Sequence, residues 1–263
     1  MKQQEKILII DFGSQFTQLI TRRVREANVY SEIHSHKITF EEIKKFEPTG
    51  IILSGGPMSV YDKDAPDLDE RILKINVPVL GICYGLQLIS KKLGGKVEPA
   101  KDREYGRAIL NIVETSPLFN NVDNESKVWM SHGDYLTELP KGFDIIAKSD
   151  HSPIGAVANE SEKIYGVQFH PEVVHTNEGK KIIHNFLFDI CGCTGNWTSH
   201  NFIENSIAEI KERVGSAKVI CALSGGVDST VAAVLVKKAI GDNLICIHID
   251  TGLMRKNESY EIG

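Results

Sequence analysis

The chain has little of what would suggest a secreted, membrane-bound or nucleic-acid-binding protein. Its first apolar run, Ile7 to Ile10, is only four residues long, far short of the apolar core of a signal peptide. No later segment approaches the length of a membrane span, so neither a leader nor a membrane partner is expected. Its five cysteines, at 83, 191, 193, 221 and 246, are odd in number and show no CxxC spacing. That argues against a disulfide framework or a zinc site and for a reduced, cytoplasmic setting. Basic residues are not in excess either: 30 Lys plus Arg stand against 35 Asp plus Glu, for a net charge of -5. A nucleic-acid partner loses its usual electrostatic basis. Internal repeats and low-complexity tracts are also lacking. What remains is 263 residues, 41% of them hydrophobic, enough for one large domain or two smaller ones.

Short apolar runs alternate with helix-like stretches from the start. Lys6 to Ile10, Val29 to His34, Gly50 to Leu53 and Val77 to Leu80 read as strands. Gln15 to Ala27, Thr39 to Phe46, Asp67 to Ile75 and Leu86 to Leu93 read as helices. Thr39 and Glu42 have the spacing of a capping box, and Gly94-Gly95 closes the fourth helix. The rhythm predicts an α/β fold with an open, mostly parallel sheet. From Lys96 to Gln168 the texture changes to short strands, at Ala108 to Val113, Lys127 to Met130, Phe143 to Lys148 and Lys163 to Phe169. A helix over Glu178 to Ile190 completes the first domain. Cys191 to Ser199, with two glycines and no periodicity, reads as a linker. Beyond it a second, partial α/β unit is expected: helix Asn201 to Val214, strand Lys218 to Leu223, a glycine loop, helix Thr230 to Ile240 and strand Leu244 to Asp250. With about sixty residues it is small for an independent parallel domain, which predicts a fragment.

Three sequence features carry chemistry in the first domain. Gly81-Ile82-Cys83-Tyr84-Gly85 follows a buried strand and opens a helix, the thiol form of a nucleophile elbow. Its small neighbours permit the tight turn, and the helix N-terminus favours a thiolate at Cys83. A buried structural cysteine between turn glycines is the plain alternative. Gln168-Phe169-His170-Pro171-Glu172 ends another strand and offers an imidazole with a carboxylate two residues on, as a base and its orienting acceptor require. A hydrogen-bonded structural histidine is the alternative there. Ser54-Gly55-Gly56-Pro57 could turn backbone N–H groups toward a substrate oxygen, with the Tyr84 N–H as second donor, although Gly-Gly-Pro is more often just a turn.

These three motifs together resemble the class I, triad-type glutamine amidotransferases. The resemblance implies hydrolysis of glutamine through a γ-glutamyl thioester. Cys83 would be nucleophile, His170 general base and then acid, Glu172 the orienting carboxylate, and Gly55, Gly56, Tyr84 and Gln87 the substrate contacts.

In the second unit, Ser224-Gly225-Gly226-Val227-Asp228-Ser229-Thr230 joins a strand to a helix and supplies backbone N–H groups and hydroxyls for phosphate. It lacks the Gly-Lys-Ser/Thr ending of a Walker A loop, and a capped glycine turn is the alternative reading. It resembles the pyrophosphate loop of the ATP pyrophosphatase family, adenine-nucleotide α-hydrolase-like in fold, which implies ATP as cosubstrate and Asp228 as a Mg²⁺ ligand.

The combination resembles the glutamine-hydrolysing GMP synthase family, as do Asp11 to Gln15, Ser131 to Asp134, Glu172 to Thr176 and Asn185-Phe186. The turn at Asp11 to Gln15 reads as structural on its own. Ser131 to Asp134 reads equally as structural or as part of a substrate pocket. The resemblance divides the chain into an amidotransferase domain (1–193), a linker (194–200) and the start of an ATP pyrophosphatase domain (201–263). It implies glutamine, ATP and XMP as substrates, and a homodimer in the full-length family through a C-terminal domain that this chain does not reach. These residues alone are expected to support the glutaminase half at most. The rival functions are a free-standing glutaminase subunit of another synthase and a catalytically silent interaction module.

Overall fold

The structure, a computed structural model, describes residues 5–150, 152–250, 252 and 260, with backbone alone at 100–104. The chain forms two compact units, Met1–Asn196 and Trp197–Gly263.

In the first unit, β1 (Lys6–Asp11), β2 (Tyr30–Ser35), β3 (Gly50–Leu53) and β4 (Val79–Ile82) are joined by α1 (Thr17–Glu26), α2 (Phe40–Phe46) and a 3-10 turn at Glu70–Lys74. Then follow α3 (Tyr84–Lys92), β5 (Lys96–Ile112), β6 (Ser126–Glu138), β7 (Asp144–Ser149), β8 (Ala156–Asn159), β9 (Ile164–Val167) and α4 (Gly179–Asn185). The strands make one sheet in the order β2-β1-β3-β4-β9-β8-β7-β5-β6. From β2 to β9 all pairings are parallel, and from β9 to β6 all are antiparallel.

Successive residues of β1 serve opposite faces: Ile7 and Ile9 pack with Ile20, Val24 and Ile52, whereas Leu8 and Ile10 pack with Ile43, Ile51 and Leu53. A parallel strand covered on both sides must be apolar at every position, which explains its unbroken apolar run. The chain order reverses between β1 and β3, and the crevice beyond their carboxyl ends is where open α/β sheets bind ligands.

The expected capping box is present: Thr39 Oγ1 accepts from Glu42 N at 3.3 Å, and Glu42 Oε2 accepts from Thr39 N at 2.8 Å. Other expectations need correction. Asp67 to Ile75 is not an α-helix but the short 3-10 turn capped by Asp69, confined between Pro66 and Pro78. The helix expected over Glu178 to Ile190 is α only through Asn185 and continues as a π turn at Phe186–Ile190. The strands expected at 108–113 and 127–130 are parts of a much longer hairpin, β5 with β6. Its outer part carries Glu98, Pro99, Lys101, Asp102 and Arg103, so no apolar alternation announces it. β8 was not anticipated, because Ala-Val-Ala-Asn is short and without a period. Cys191 and Cys193 do more than link: Cys193 is buried in the core, and Cys191 Sγ lies where a Cβ on Gly50 would stand.

The second unit holds α5 (Ser199–Val214), β10 (Val219–Leu223), α6 (Val227–Ile240) and β11 (Leu244–His248), with β10 and β11 paired as a two-stranded parallel sheet. Among its described residues Ala233 is the one buried hydrophobic, while Ile220, Val227, Ile245 and Ile247 are exposed. No helix among the described residues is long and apolar enough to cross a membrane.

Candidate active site

Cys83 stands between β4 and α3 with φ 51° and ψ −104°, backbone angles that an L residue adopts only under constraint. The constraint is visible: Cys83 N donates to Val167 O on β9 at 2.8 Å, and Gly85 N donates to Ser54 O at 3.1 Å. The turn tolerates no side chain beside it. A Cβ at Gly81 would lie 2.7 Å from Gly85 C and Leu86 N, and one at Gly85 would lie 2.5 Å from Leu53 O. Backbone atoms cannot swing aside as a flexible side chain can. Gly81→Ala is therefore expected to cost about 3 kcal/mol and to lower the melting midpoint by roughly 5–10 °C, as a thermal scan would show.

His170 and Glu172 sit just past the end of β9. The His170 main chain is held from β6: His170 N donates to Trp129 O at 3.0 Å, and His170 O accepts from Thr176 Oγ1 at 2.6 Å. Thr176 Oγ1 in turn accepts from Trp129 N at 3.1 Å. Pro171 turns the chain so that the side chains two apart meet, with His170 Nδ1 2.8 Å from Glu172 Oε1. Arg23 Nε on α1 fixes the turn by donating to Glu172 O at 3.1 Å. Cys83, His170 and Glu172 are all buried, at 4%, 4% and 0% exposure.

Burial alone would disfavour the His170 imidazolium, but hydrogen bonds to Cys83 and Glu172 and the charges of both outweigh it, and its pKa is pushed up to about 10. Across the site, burial is the main cause that pulls the pKa of His132 down to about 4, and the charge of His170 adds to it against a hydrogen bond with the Asp134 backbone. The two histidines thus bias stability in opposite directions. The raised His170 contributes stability that is whole below its unfolded pKa of about 6.5 and is lost as pH rises toward 10. The lowered His132 costs stability as pH falls from about 6.5 toward 4, because only the unfolded chain takes up its proton there. Denaturant titrations across pH are expected to show the His170→Gln variant without the alkaline decline of the wild type. A His132→Asn variant should lose part of the acid limb.

A cavity of about 810 Å³ opens at the carboxyl ends of the parallel strands, and Gly56, Cys83, Gln87, Tyr105, His132 and His170 are among its lining residues. Gly55 lies behind the imidazole, where a Cβ would stand 3.1 Å from His170 Cε1. At Gly56 a Cβ would be 3.0 Å from Phe12 O and Tyr84 Cγ. The Tyr84 side chain points away from the cavity and donates its hydroxyl to Pro66 O, leaving only its peptide N–H, at the first turn of α3, on the side of Cys83. Gln87 Nε2 donates to Asp134 O at 2.8 Å.

Two further segments line the same cavity: Gly13 to Phe16, which overlaps the turn at Asp11 to Gln15 that reads as structural, and Ser131 to Asp134, for which both roles stood open. The first is a turn pinned by Asp11, whose Oδ1 accepts from Gly13 N at 2.9 Å and Thr17 Oγ1 at 2.7 Å. It presents Phe16 edge-on to His170, with ring centroids 5.3 Å apart. Sequence reasoning assigned no role to Gln168, which is fully buried with Nε2 3.7 Å from Cys83 Sγ.

In the second unit the glycine loop is organised by its hydroxyls. Ser224 Oγ accepts from Gly226 N at 3.3 Å and lies 3.1 Å from Ser229 Oγ, and Ser229 Oγ and Thr230 Oγ1 both donate to Gly226 O at 3.0 Å. Gly225 has φ 83°, which explains its glycine. Val227, Asp228 and the hydroxyls are on or near the surface at the start of α6. Among the described residues no three His, Cys, Asp or Glu side chains cluster as a metal site.

Fold and site define a nucleophile-elbow α/β protein with a thiol, an imidazole and a carboxylate converging on one cavity. The chain belongs to the class I glutamine amidotransferase family, whose model matches residues 8–190. A second model, described as NAD synthase, matches residues 199–261. Curated relatives include the glutamine-hydrolysing GMP synthases of Listeria innocua, 56% identical over 99% of this chain, and Staphylococcus carnosus, 57% identical over 98%. The match takes in 50% of each of those relatives, so the chain spans about half their length. Among solved structures, a Thermoplasma acidophilum protein described as one subunit of a GMP synthase is 31% identical, with a TM-score of 0.63 over 78% of this chain and 100% of its own. A Thermotoga maritima glutamine amidotransferase shares the fold at 20% identity, with a TM-score of 0.55 over 90% of each chain.

Proposed function

We propose that the first unit hydrolyses glutamine to glutamate and ammonia. The observation that carries this reading is the alignment of Cys83 and His170, which line the cavity, with Glu172 buried behind them, His170 Nδ1 being engaged by Glu172 and its other ring nitrogen left for the thiol. The imidazolium favours a thiolate at Cys83, which adds to the side-chain carbonyl carbon of glutamine. The N–H groups of Tyr84 and Gly56 stabilise the resulting oxyanion. His170 gives its proton to the departing nitrogen, releasing ammonia and leaving the γ-glutamyl thioester. It then takes a proton from water, whose oxygen adds to the thioester, and glutamate leaves as the thiolate re-forms. Gln87 holds the substrate from α3.

The second unit, residues 201–263 beyond a linker at 194–200, is read as the start of an ATP-binding domain. The likeness to GMP synthases supports ammonia passing to an XMP adenylate in the complete protein, with AMP and pyrophosphate released. The loop Ser224 to Thr230 fits a phosphate chain, since the hydroxyls and backbone N–H groups gather at the start of a 14-residue helix. Asp228 in its first turn would supply one carboxylate to Mg²⁺, with phosphate oxygens and water completing the shell. When bound, the metal would neutralise the leaving pyrophosphate.

The reading is tested by glutamate release from glutamine by the purified chain, and by GMP formation from XMP, ATP and ammonia. Glutamate without GMP is the expected result. Absence of glutamate release would defeat the first part of the proposal, and GMP synthesis would contradict its limit.

A further inference from the structure

The buried amide of Gln168 lies within reach of the nucleophile, and its surroundings leave it one useful orientation. Its Nε2 is 3.7 Å from Cys83 Sγ, and its Oε1 accepts from Gln87 Nε2 at 3.5 Å. The second hydrogen of Gln87 Nε2 goes to Asp134 O at 2.8 Å. Were the Gln168 amide turned over, its NH₂ would face the NH₂ of Gln87, a repulsive contact, and its oxygen would face the sulfur, a contact that suits a thiol and repels a thiolate. The chain from the Asp134 carbonyl through Gln87 to Gln168 therefore aims an N–H at the sulfur. On the other side Cys83 Sγ has the Ser131 carbonyl oxygen at 3.7 Å, which accepts from a thiol and repels a thiolate. The sulfur thus stands between an acceptor that favours its protonated form and a donor that favours its anion.

We propose that Gln168 is a positioning residue of this site: its side-chain amide, oriented by Gln87, donates to the Cys83 sulfur and favours the thiolate against the pull of the Ser131 carbonyl. This rests on the reading of Cys83 as a nucleophile. It also gives α3 a second task, because the residue proposed to hold substrate fixes the amide that steadies the nucleophile. With both hydrogens spent on Asp134 O and Gln168 Oε1, Gln87 meets a ligand only through its own oxygen.

The test is the pH dependence of Cys83 alkylation by iodoacetamide, read on the Cys83 peptide by mass spectrometry, with exposed Cys246 as internal reference. Among the described residues the other titratable groups at the site are His170 and Glu172 beyond β9, His132 and Asp134 on β6, Tyr105 on β5 and Asp62. All stay in place in every variant compared. Gln168→Leu is expected to move the Cys83 alkylation profile toward higher pH and to slow the reaction several-fold on its acid limb, with the Cys246 profile unchanged. Gln168→Glu keeps the shape, replaces the donor with an anion and should shift the midpoint further. It serves as the reading if the leucine variant does not fold. A merely structural glutamine would lower the melting midpoint and leave the alkylation profile where it was, and that result in a folded variant overturns the proposal. Because alkylation needs no glutamine, a wild-type chain that fails to release glutamate would defeat the proposed reaction while this measurement still decides the role of Gln168.

Discussion

Cys83→Ala is expected to reduce glutamine hydrolysis by ~10⁴-fold or more, to the background of the assay, because among the described residues Cys83 is the one thiol lining the cavity and the one lining nucleophile that His170 engages. The fold should survive. Cys83 is the N-cap of α3 without a side-chain capping bond, and its sulfur bonds His170 and makes two long contacts, to Ser131 O and Gln168 Nε2. Alanine fits the same backbone position, although the left-handed φ of 51° remains strained for any L residue. Steady-state glutamate release together with a melting curve separates the two effects. Activity retained within tenfold in a folded variant would remove Cys83 from the mechanism.

The second large effect is expected at Glu172. Glu172→Gln preserves size in a fully buried position but removes the anion that His170 Nδ1 engages at 2.8 Å. The amide can present its NH₂ to that nitrogen, which then accepts, and the ring proton moves to the nitrogen that must serve Cys83. Loss of the carboxylate also withdraws one of the causes that raise the His170 pKa, so the imidazolium becomes scarcer at neutral pH. Both changes act on the chemical step. A fall in kcat of ~10³-fold with KM within a few-fold of wild type is expected. A rise in KM at unchanged kcat would instead make Glu172 a substrate-binding group.

The parallel half of the fold was legible because its physics is local. A strand covered on both faces must be apolar where it is covered, as Ile7 to Ile10 and Gly50–Leu53 are, and the Thr39/Glu42 box announces its helix by spacing alone. The elbow and the His-Pro-Glu turn were legible because each compresses its chemistry into a few contiguous residues. The long β5–β6 hairpin was not, since the sequence of its outer part carries charges and a proline instead of an alternating pattern. The same holds for the contribution of Gly13 to Phe16 and Ser131 to Asp134 to the cavity, because one segment follows β1 and the other lies within β6, far apart in both sequence and sheet order, and they meet only in the folded chain. Gln168 lay inside a recognised motif, but only the three-dimensional meeting of β9 with the elbow shows what its amide faces.

The apolar residues left exposed on the second unit, Ile220, Ile245 and Ile247 on its two strands and Val227 at the phosphate-type loop, belong to a sheet with little buried core of its own. The relatives are about twice as long as this chain.

The most direct test of the central claim is the intact mass of the purified chain after exposure to a glutamine-analogue electrophile. The account predicts a single adduct, mapped to Cys83, that excess glutamine suppresses and that Glu172→Gln forms far more slowly. Labelling spread over Cys221 and Cys246, or labelling of Cys83 that glutamine does not protect, would contradict a glutaminase site in this cavity.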